Sequence, residues 1–448
     1  MEFQLLTAVL VGIVLLLILI LRIKIQAFLA LLIVCIIVGI LAGMPAAEIL
    51  DTIKEGMGST LGFVATVVGL GALFGGILEH SGGAQRLASF MLAKTGEKQA
   101  PSALMLTGFI IAIPVFFDVA FIILVPVCYA LSRRTGKSLL LYAIPLLAGL
   151  AVTHAFIPPT PGPIAVAEIL GADLGWVIVF GFLVGLPTAV IAGPVFARFL
   201  LKKMYIEPEG FEEKEDFEET SAPSPKMIIA IILVPIILIV INTFIKSPFF
   251  AEYEIAPGIL YLLEIIGHPF SALIIANLIA WYFLGVKRGM RKDHLLKISS
   301  KSLEAAGIII LLTGAGGAFK QILINTGAGE MIAVGLNSSF FNPLVFAFLV
   351  AAIVRILQGS ATVAMITAAG ITAPVLAEGD FSMVQTSIIV IAIASGASIL
   401  SHVNDSGFWL VGKYLGLTEK QTFRSWSVMT TLIALVGLSM CLLLWYLV

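Results

Sequence analysis

Charged residues are scarce in this chain of 448 residues, at 12% of the total, against about 25% in an ordinary soluble domain. That scarcity excludes a water-soluble fold of this length. Hydrophobic residues make up 60%, the mean hydropathy is +1.10, and too little polar surface remains to face water. Nor is there an excess of one sign: the formal net charge is −1, which leaves no basic field for nucleic acid. The three cysteines, Cys35, Cys128 and Cys441, lie far apart in apolar runs. They form neither a disulfide framework nor a metal-ligand spacing, so no metal and no cofactor are expected. Walker, Gly-x-Ser-x-Gly and His-Glu-x-x-His motifs are all missing, which removes support for ATP-driven transport and for familiar hydrolase chemistry.

What the chain does have is apolar runs long enough to cross a hydrocarbon core of about 30 Å. The first half offers Phe3–Leu21, Ile25–Gly43, Ser59–Leu78, Leu139–Ile157 and Trp176–Leu200, with Glu48, Asp51, Lys54 and Glu55 in a short loop. Phe3–Leu21 is too long for a signal peptide and lacks its basic start and small-residue cleavage site. The stretch Ser102–Leu131 is too long for one crossing and holds Pro114, Asp118 and Pro126, so it reads as two half-length helices meeting in a re-entrant hairpin. Leu139–Ile157 runs into Pro158-Pro159-Thr160-Pro161-Gly162-Pro163, and no helix survives four prolines in six residues.

The second half repeats the plan. Spans are expected at Met227–Ile245, Pro269–Gly285, Leu303–Leu323, Ser387–Leu400 and Trp426–Val448. A long stretch, Pro343–Pro374, is interrupted by Arg355 and Gly359-Ser360. Ile77-Leu-Glu-His-Ser-Gly82 lies against Ile322-Leu-Ile-Asn-Thr-Gly327, and Gly162 and Gly407 fall at the same offset. The expected fold is an all-α polytopic membrane protein, an inverted repeat of about five spans plus one re-entrant hairpin in each half, with broken helices at the midplane. The repeats are residues 1–202 and 226–448, joined by an acidic cytoplasmic linker over 203–225. Basic loops around Arg22/Lys24, Arg86–Lys98, Arg133–Lys137, Lys287–Lys292 and Lys413–Arg424 fall on one side, so both termini are expected to be external.

Ionisable groups at membrane depth are costly and mark function by default. Here they are Asp118, His154, Lys320, Arg355, His402 and Asp405, most of them at the four breaks. A broken helix exposes backbone N–H groups and half a positive charge where its second part begins, which suits an anion. The candidate substrate-binding residues are Thr160, Gly162, Arg355, Ser360, Thr362, His402, Asn404, Asp405 and Ser406. Asp118, His154 and Asp405 are the candidates for proton coupling. Plainer roles stand beside these. Asp118, Thr160, Ser360, Asn404 and Asp405 can cap helices, His154 can be a structural hydrogen-bonding histidine, Arg355 can hold its own hairpin, and Lys320 can snorkel at a helix end. The glycine stretches Gly69–Gly76 and Gly314–Gly317 fit close helix packing through Gly71 and Gly75.

The residues at the breaks carry a resemblance. Pro114-Val-Phe-Phe-Asp-Val-Ala-Phe-Ile-Ile-Leu124, His154-Ala-Phe-Ile-Pro-Pro-Thr-Pro-Gly-Pro163, Gly359-Ser-Ala-Thr-Val-Ala364 and Ser401-His-Val-Asn-Asp-Ser-Gly-Phe-Trp-Leu410 look like signature segments of the gluconate:proton symporter (GntP) family, as do Ser81-Gly-Gly-Ala-Gln-Arg86 and Gly316-Gly-Ala-Phe-Lys-Gln321. The resemblance spans essentially the whole chain. It implies a permease, not an enzyme, that brings gluconate or a related sugar acid across the bacterial inner membrane with protons. The partners it implies are that anion, protons and the lipid bilayer, with a homo-oligomer, a dimer, as the expected assembly. Thr160 departs from family members that carry His there, which bears on substrate choice between gluconate, another hydroxy-carboxylate and D-serine. A passive anion channel is the alternative from another class.

Overall fold

Proline, glycine and charge decide where the apolar runs become helices. The computed structural model describes residues 2–201, 204–208, 223–246, 256–327 and 342–448, and among these every regular element is a helix. The first half holds α1 (Glu2–Leu21), α2 (Ala27–Leu41), α3 (Ala46–His80), α4 (Gly83–Thr95), α5 (Ala100–Ile111), α6 (Phe117–Thr135), α7 (Leu140–Phe156) and α8 (Pro161–Leu170). It closes with α9 (Leu174–Val190), which a wide π turn at Ile191–Val195 carries into α10 (Phe196–Leu200). The second half holds α11 (Pro225–Lys246), α12 (Pro257–Gly267), α13 (Pro269–Ala280), α14 (Lys292–Asn325), α15 (Pro343–Gln358), α16 (Ala361–Ala377), α17 (Met383–Gly396), α18 (Ser406–Tyr414), α19 (Glu419–Thr422) and α20 (Val428–Trp445).

Among the described residues, seven helical stretches are long and apolar enough to cross a membrane. Exposed Leu183, Leu186, Ile237, Ile241, Ile274 and Leu278 give them an apolar outer surface. The protein is a multi-pass membrane protein. Of the expected acidic linker, residues 203 and 209–222 lie outside the described residues.

Three boundaries differ from the sequence expectation. Glu48, Asp51, Lys54 and Glu55 form no loop; they ride on the first turns of α3, where Lys54 bonds Asp51 at 3.1 Å. Glu and Lys are good helix formers, so charge marks where a helix leaves the bilayer and not where it ends. At 35 residues, α3 is about 52 Å long and outreaches the hydrocarbon core. The same reason starts α14 at Lys292 and not at Leu303. Thirdly, α12 was not anticipated, since its 11 residues are too few to span.

The expected breaks are present. Ile113 to Phe116 separate α5 from α6, and Glu97, just before α5, meets Arg134 at the far end of α6 at 3.1 Å. The chain that enters with α5 therefore returns with α6 to the same face, as a re-entrant hairpin must. In the second half α15 and α16 pack on each other and turn at Gly359, whose left-handed φ of +90° suits a residue without Cβ. Four prolines stop α7 at Phe156, and Pro161, at the first position of α8, is pre-set to restart it.

The frame behind these breaks is α3 against α14. A Cβ on Gly56 would meet the Gly317 carbonyl at 2.6 Å, so both positions must stay bare for the backbones to approach. Farther along α3, Gly71 abuts Pro159 and Gly75 abuts the Pro114 carbonyl. One bare stripe on α3 thus seats both broken segments of the first half.

Candidate functional site

Four helices begin around one cavity. Its walls include Phe117 and Asp118 at the start of α6, Gly162 of α8, Ala361 and Thr362 of α16, and Ser406 and Gly407 of α18. The first N–H groups of an α-helix have no partner within it. Four such ends, each with its partial positive charge, therefore face a space of about 410 Å³, a size that suits a small organic ligand. Some donors are taken locally: Ser360 Oγ accepts from Val363 N at 3.3 Å, and Asp405 Oδ1 from Gly407 N at 3.1 Å. On α6 and α8 no side chain caps the end.

The deepest charges in the wall are a pair. Arg355 and Asp405 side chains are 6% and 12% exposed, and Arg355 Nη2 donates to Asp405 Oδ2 at 2.5 Å. Asp405 is fully engaged. Its Oδ2 also accepts the Ser401 hydroxyl, and its Oδ1 caps α18. Arg355 is not: its Nε and Nη1 are buried without a hydrogen-bond partner among the described residues. An unmet donor on a buried guanidinium is expensive.

Behind the pair stands a support that the sequence reading missed. Trp426 Nε1 donates to Ser401 Oγ at 2.6 Å, Ser401 N to Thr430 Oγ1 at 3.1 Å, and Ser427 Oγ to the Ser401 carbonyl. These bonds hold the loop between α17 and α18, including Leu400 at φ +40°, a left-handed conformation unfavourable for a residue with a side chain. The sequence signal was an indole inside an apolar span, since a buried Trp N–H needs an acceptor. Ser401→Ala is expected to lower stability by about 1–3 kcal/mol, because it strands the indole donor and one carboxylate contact. Thermal unfolding in detergent measures this.

Of the residues singled out in the sequence, the cavity gathers Asp118, His154, Gly162, Arg355, Ser360, Thr362, Asn404, Asp405 and Ser406. Asp118 is exposed to it, and His154 rests edge-on against Phe116 with ring centroids 6.1 Å apart. Two residues point elsewhere. Thr160 is buried, and its hydroxyl donates to the Ile157 carbonyl at 2.6 Å; it closes the break and does not face the ligand space. His402 Nε2 lies 2.8 Å from the Ile356 carbonyl, and Asn404 Nδ2 donates to Ile356 and Leu357 carbonyls at 3.0 and 3.2 Å. Both therefore satisfy the orphan carbonyls that end α15. Lys320 lies apart, in a second cavity of about 360 Å³ at the far ends of α8 and α16. Gln358 and Met365 line the first cavity and carried no sequence signal.

The sequence model of a family described as GntP family permease matches residues 4–448. A low-affinity gluconate transporter of Escherichia coli (strain K12) is 40% identical over 429 residues, covering 95% of each chain. A high-affinity gluconate transporter of the same organism is 39% identical over 441 residues, 98% of this chain and 99% of its own. Among solved structures, the YdaH transporter of Alcanivorax borkumensis superposes with a TM-score of 0.66 over 94% of this chain and 98% of its own, at 15% identity, a likeness of fold.

Proposed function

This chain belongs to the GntP family of permeases, and from that premise we propose that it imports gluconate or a closely related sugar acid across the bacterial inner membrane together with protons. The observation that carries the reading is Arg355, paired with Asp405 and lining a cavity ringed by four helix N-termini. A planar guanidinium takes a carboxylate through two parallel bonds, and helix ends add donors without adding a mobile countercharge. Thr362 and Ser406 lie in the same wall, where their hydroxyls can read the hydroxyls of a sugar acid. Proton exchange falls to Asp118, His154 or Asp405, the titratable groups of that wall.

The proposed architecture is an inverted repeat over 1–202 and 226–448 with both termini external, in a homodimer. Order of elements supports it: α3, the α5–α6 hairpin and the broken α7–α8 recur as α14, the α15–α16 hairpin and the broken α17–α18. One sidedness is supported directly. The segment after α10 returns to the basic Arg133–Lys137 loop, where Ile206 N bonds Ser138 Oγ and Leu139 N bonds the Ile206 carbonyl, both at 3.0 Å. Both ends therefore share a face, as the positive-inside rule expects of two basic segments.

In proteoliposomes, an inward proton gradient without sodium should drive accumulation of labelled gluconate, competed by other sugar acids more strongly than by D-serine. Accumulation that needs sodium and ignores the proton gradient would remove proton coupling. Dominant competition by D-serine would reassign the substrate, and net current during counterflow would favour a channel.

A further inference from the structure

Resting on that reading, we infer that the Arg355–Asp405 pair is the coupling element: a proton on Asp405 and the substrate carboxylate on Arg355 are taken up together, one for one. The guanidinium is held by Asp405. A substrate carboxylate arriving at Arg355 would put two carboxylates on one guanidinium in a poorly hydrated wall, and like charges that close disfavour each other. Protonation of Asp405 removes the conflict. The proton bonds to a carboxylate oxygen, the charge-assisted bond to Nη2 weakens, and the guanidinium, released from Asp405, turns to the substrate carboxylate. Ser401 and the Gly407 N–H still find an oxygen to bond on a neutral carboxylic acid, more weakly than on a carboxylate, and the arriving substrate charge at Arg355 offsets that loss.

Net charge explains why the two ligands travel together. The empty pair sums to zero, and so do Arg355 cation, neutral Asp405 and bound anion. Anion without proton leaves −1 in the wall, and proton without anion leaves +1. Uncompensated charge at membrane depth is costly, so only the empty and doubly loaded forms are suited to cross. Of the other ionisable groups, Asp118 from α6 and His154 from α7 line the same cavity, and His402 of the same loop is turned to the Ile356 carbonyl. The helical segments of α16 and α17 bring none, and α20 brings only the buried Cys441. Transport is then electroneutral with respect to a monovalent anion.

The test is gluconate binding to the purified protein by calorimetry across about pH 5.5 to 8. One linked proton makes the affinity fall about tenfold for each pH unit of rise, and an indicator dye should record about one proton taken up per gluconate bound. Asp405→Asn keeps an oxygen for the Gly407 N–H and carries no charge, so its affinity should no longer vary with pH, and a pH gradient should no longer drive its accumulation. Should that variant fail to fold, the proton count in Asp118→Asn and His154→Gln decides: kept in both, it supports Asp405, and lost in either, it overturns the inference. Gluconate binding without proton uptake, or pH dependence lost in Asp118→Asn and kept in Asp405→Asn, overturns the inference. Absence of gluconate binding at every pH refutes the substrate reading instead.

Discussion

Arg355→Ala is expected to abolish gluconate uptake and to destabilise the protein by about 3–5 kcal/mol, the cost of leaving one member of a buried ion pair without its partner. The two losses have different origins, and a second substitution separates them. In Arg355→Ala/Asp405→Asn the stranded carboxylate is gone, so most of the stability should return. Uptake should not, because no guanidinium remains to take the substrate carboxylate. Thermal unfolding in detergent and uptake in proteoliposomes make the comparison on the same preparations. A double variant that regains transport would show that Arg355 only holds its hairpin to the α17–α18 loop. One that stays as unstable as the single variant would show that the guanidinium does more packing than pairing. Arg355→Lys should also lose most transport, since a point charge cannot reproduce the fork that spans Asp405 and a second acceptor.

The second large effect is expected at the hairpin tip. Gly359→Ala should reduce uptake by at least about tenfold, with a stability loss above the roughly 1–2 kcal/mol of a left-handed residue with a Cβ. Two causes add. The backbone at Gly359 has φ +90°, and a Cβ there would overlap the backbone of Asn404. Pushing these tips apart moves the start of α16 from the start of α18 and draws Arg355 from Asp405. Gly136→Ala is the control. Gly136 is also left-handed, with φ +64°, but a Cβ there meets nothing within 4 Å, so it should carry the conformational cost and keep transport. Equal uptake in the two variants would show that the tip contact does not set the site.

Much of this site was legible because backbone chemistry is local. Proline cannot continue a helix wherever it sits, so the run Pro158–Pro163 announced the end of α7 and the start of α8 without knowledge of any neighbour. Gly359-Ser360 announced a turn followed by a cap, and Ser360 does cap α16. The scarcity of charge worked in the same way. In an apolar chain each remaining ionisable group is conspicuous, and Asp118, His154, Arg355 and Asp405 all line the cavity. Thr160 and His402 were equally conspicuous, and both spend their polar atoms on the carbonyls of helix ends. Sequence position tells that a polar group sits at a break, but not whether it faces the ligand or repairs the break.

By itself the sequence determined the solvent, the helical class and the places where helices break, because hydropathy and proline geometry act over a few residues. Only the tertiary structure decided which charged groups of the site are paired. Arg355 and Asp405 are 50 residues apart, and nothing in either segment says that one would occupy the other. Trp426, 25 residues beyond Ser401, reads as one more apolar residue until its indole N–H is seen to brace the loop. Pairing depends on which side chains converge in a low-dielectric wall, and that convergence is a property of the packed α15, α17, α18 and α20, not of any one of them. The physical reason is range. Backbone preferences are written into neighbours along the chain, whereas electrostatic partnership is settled by distance in space.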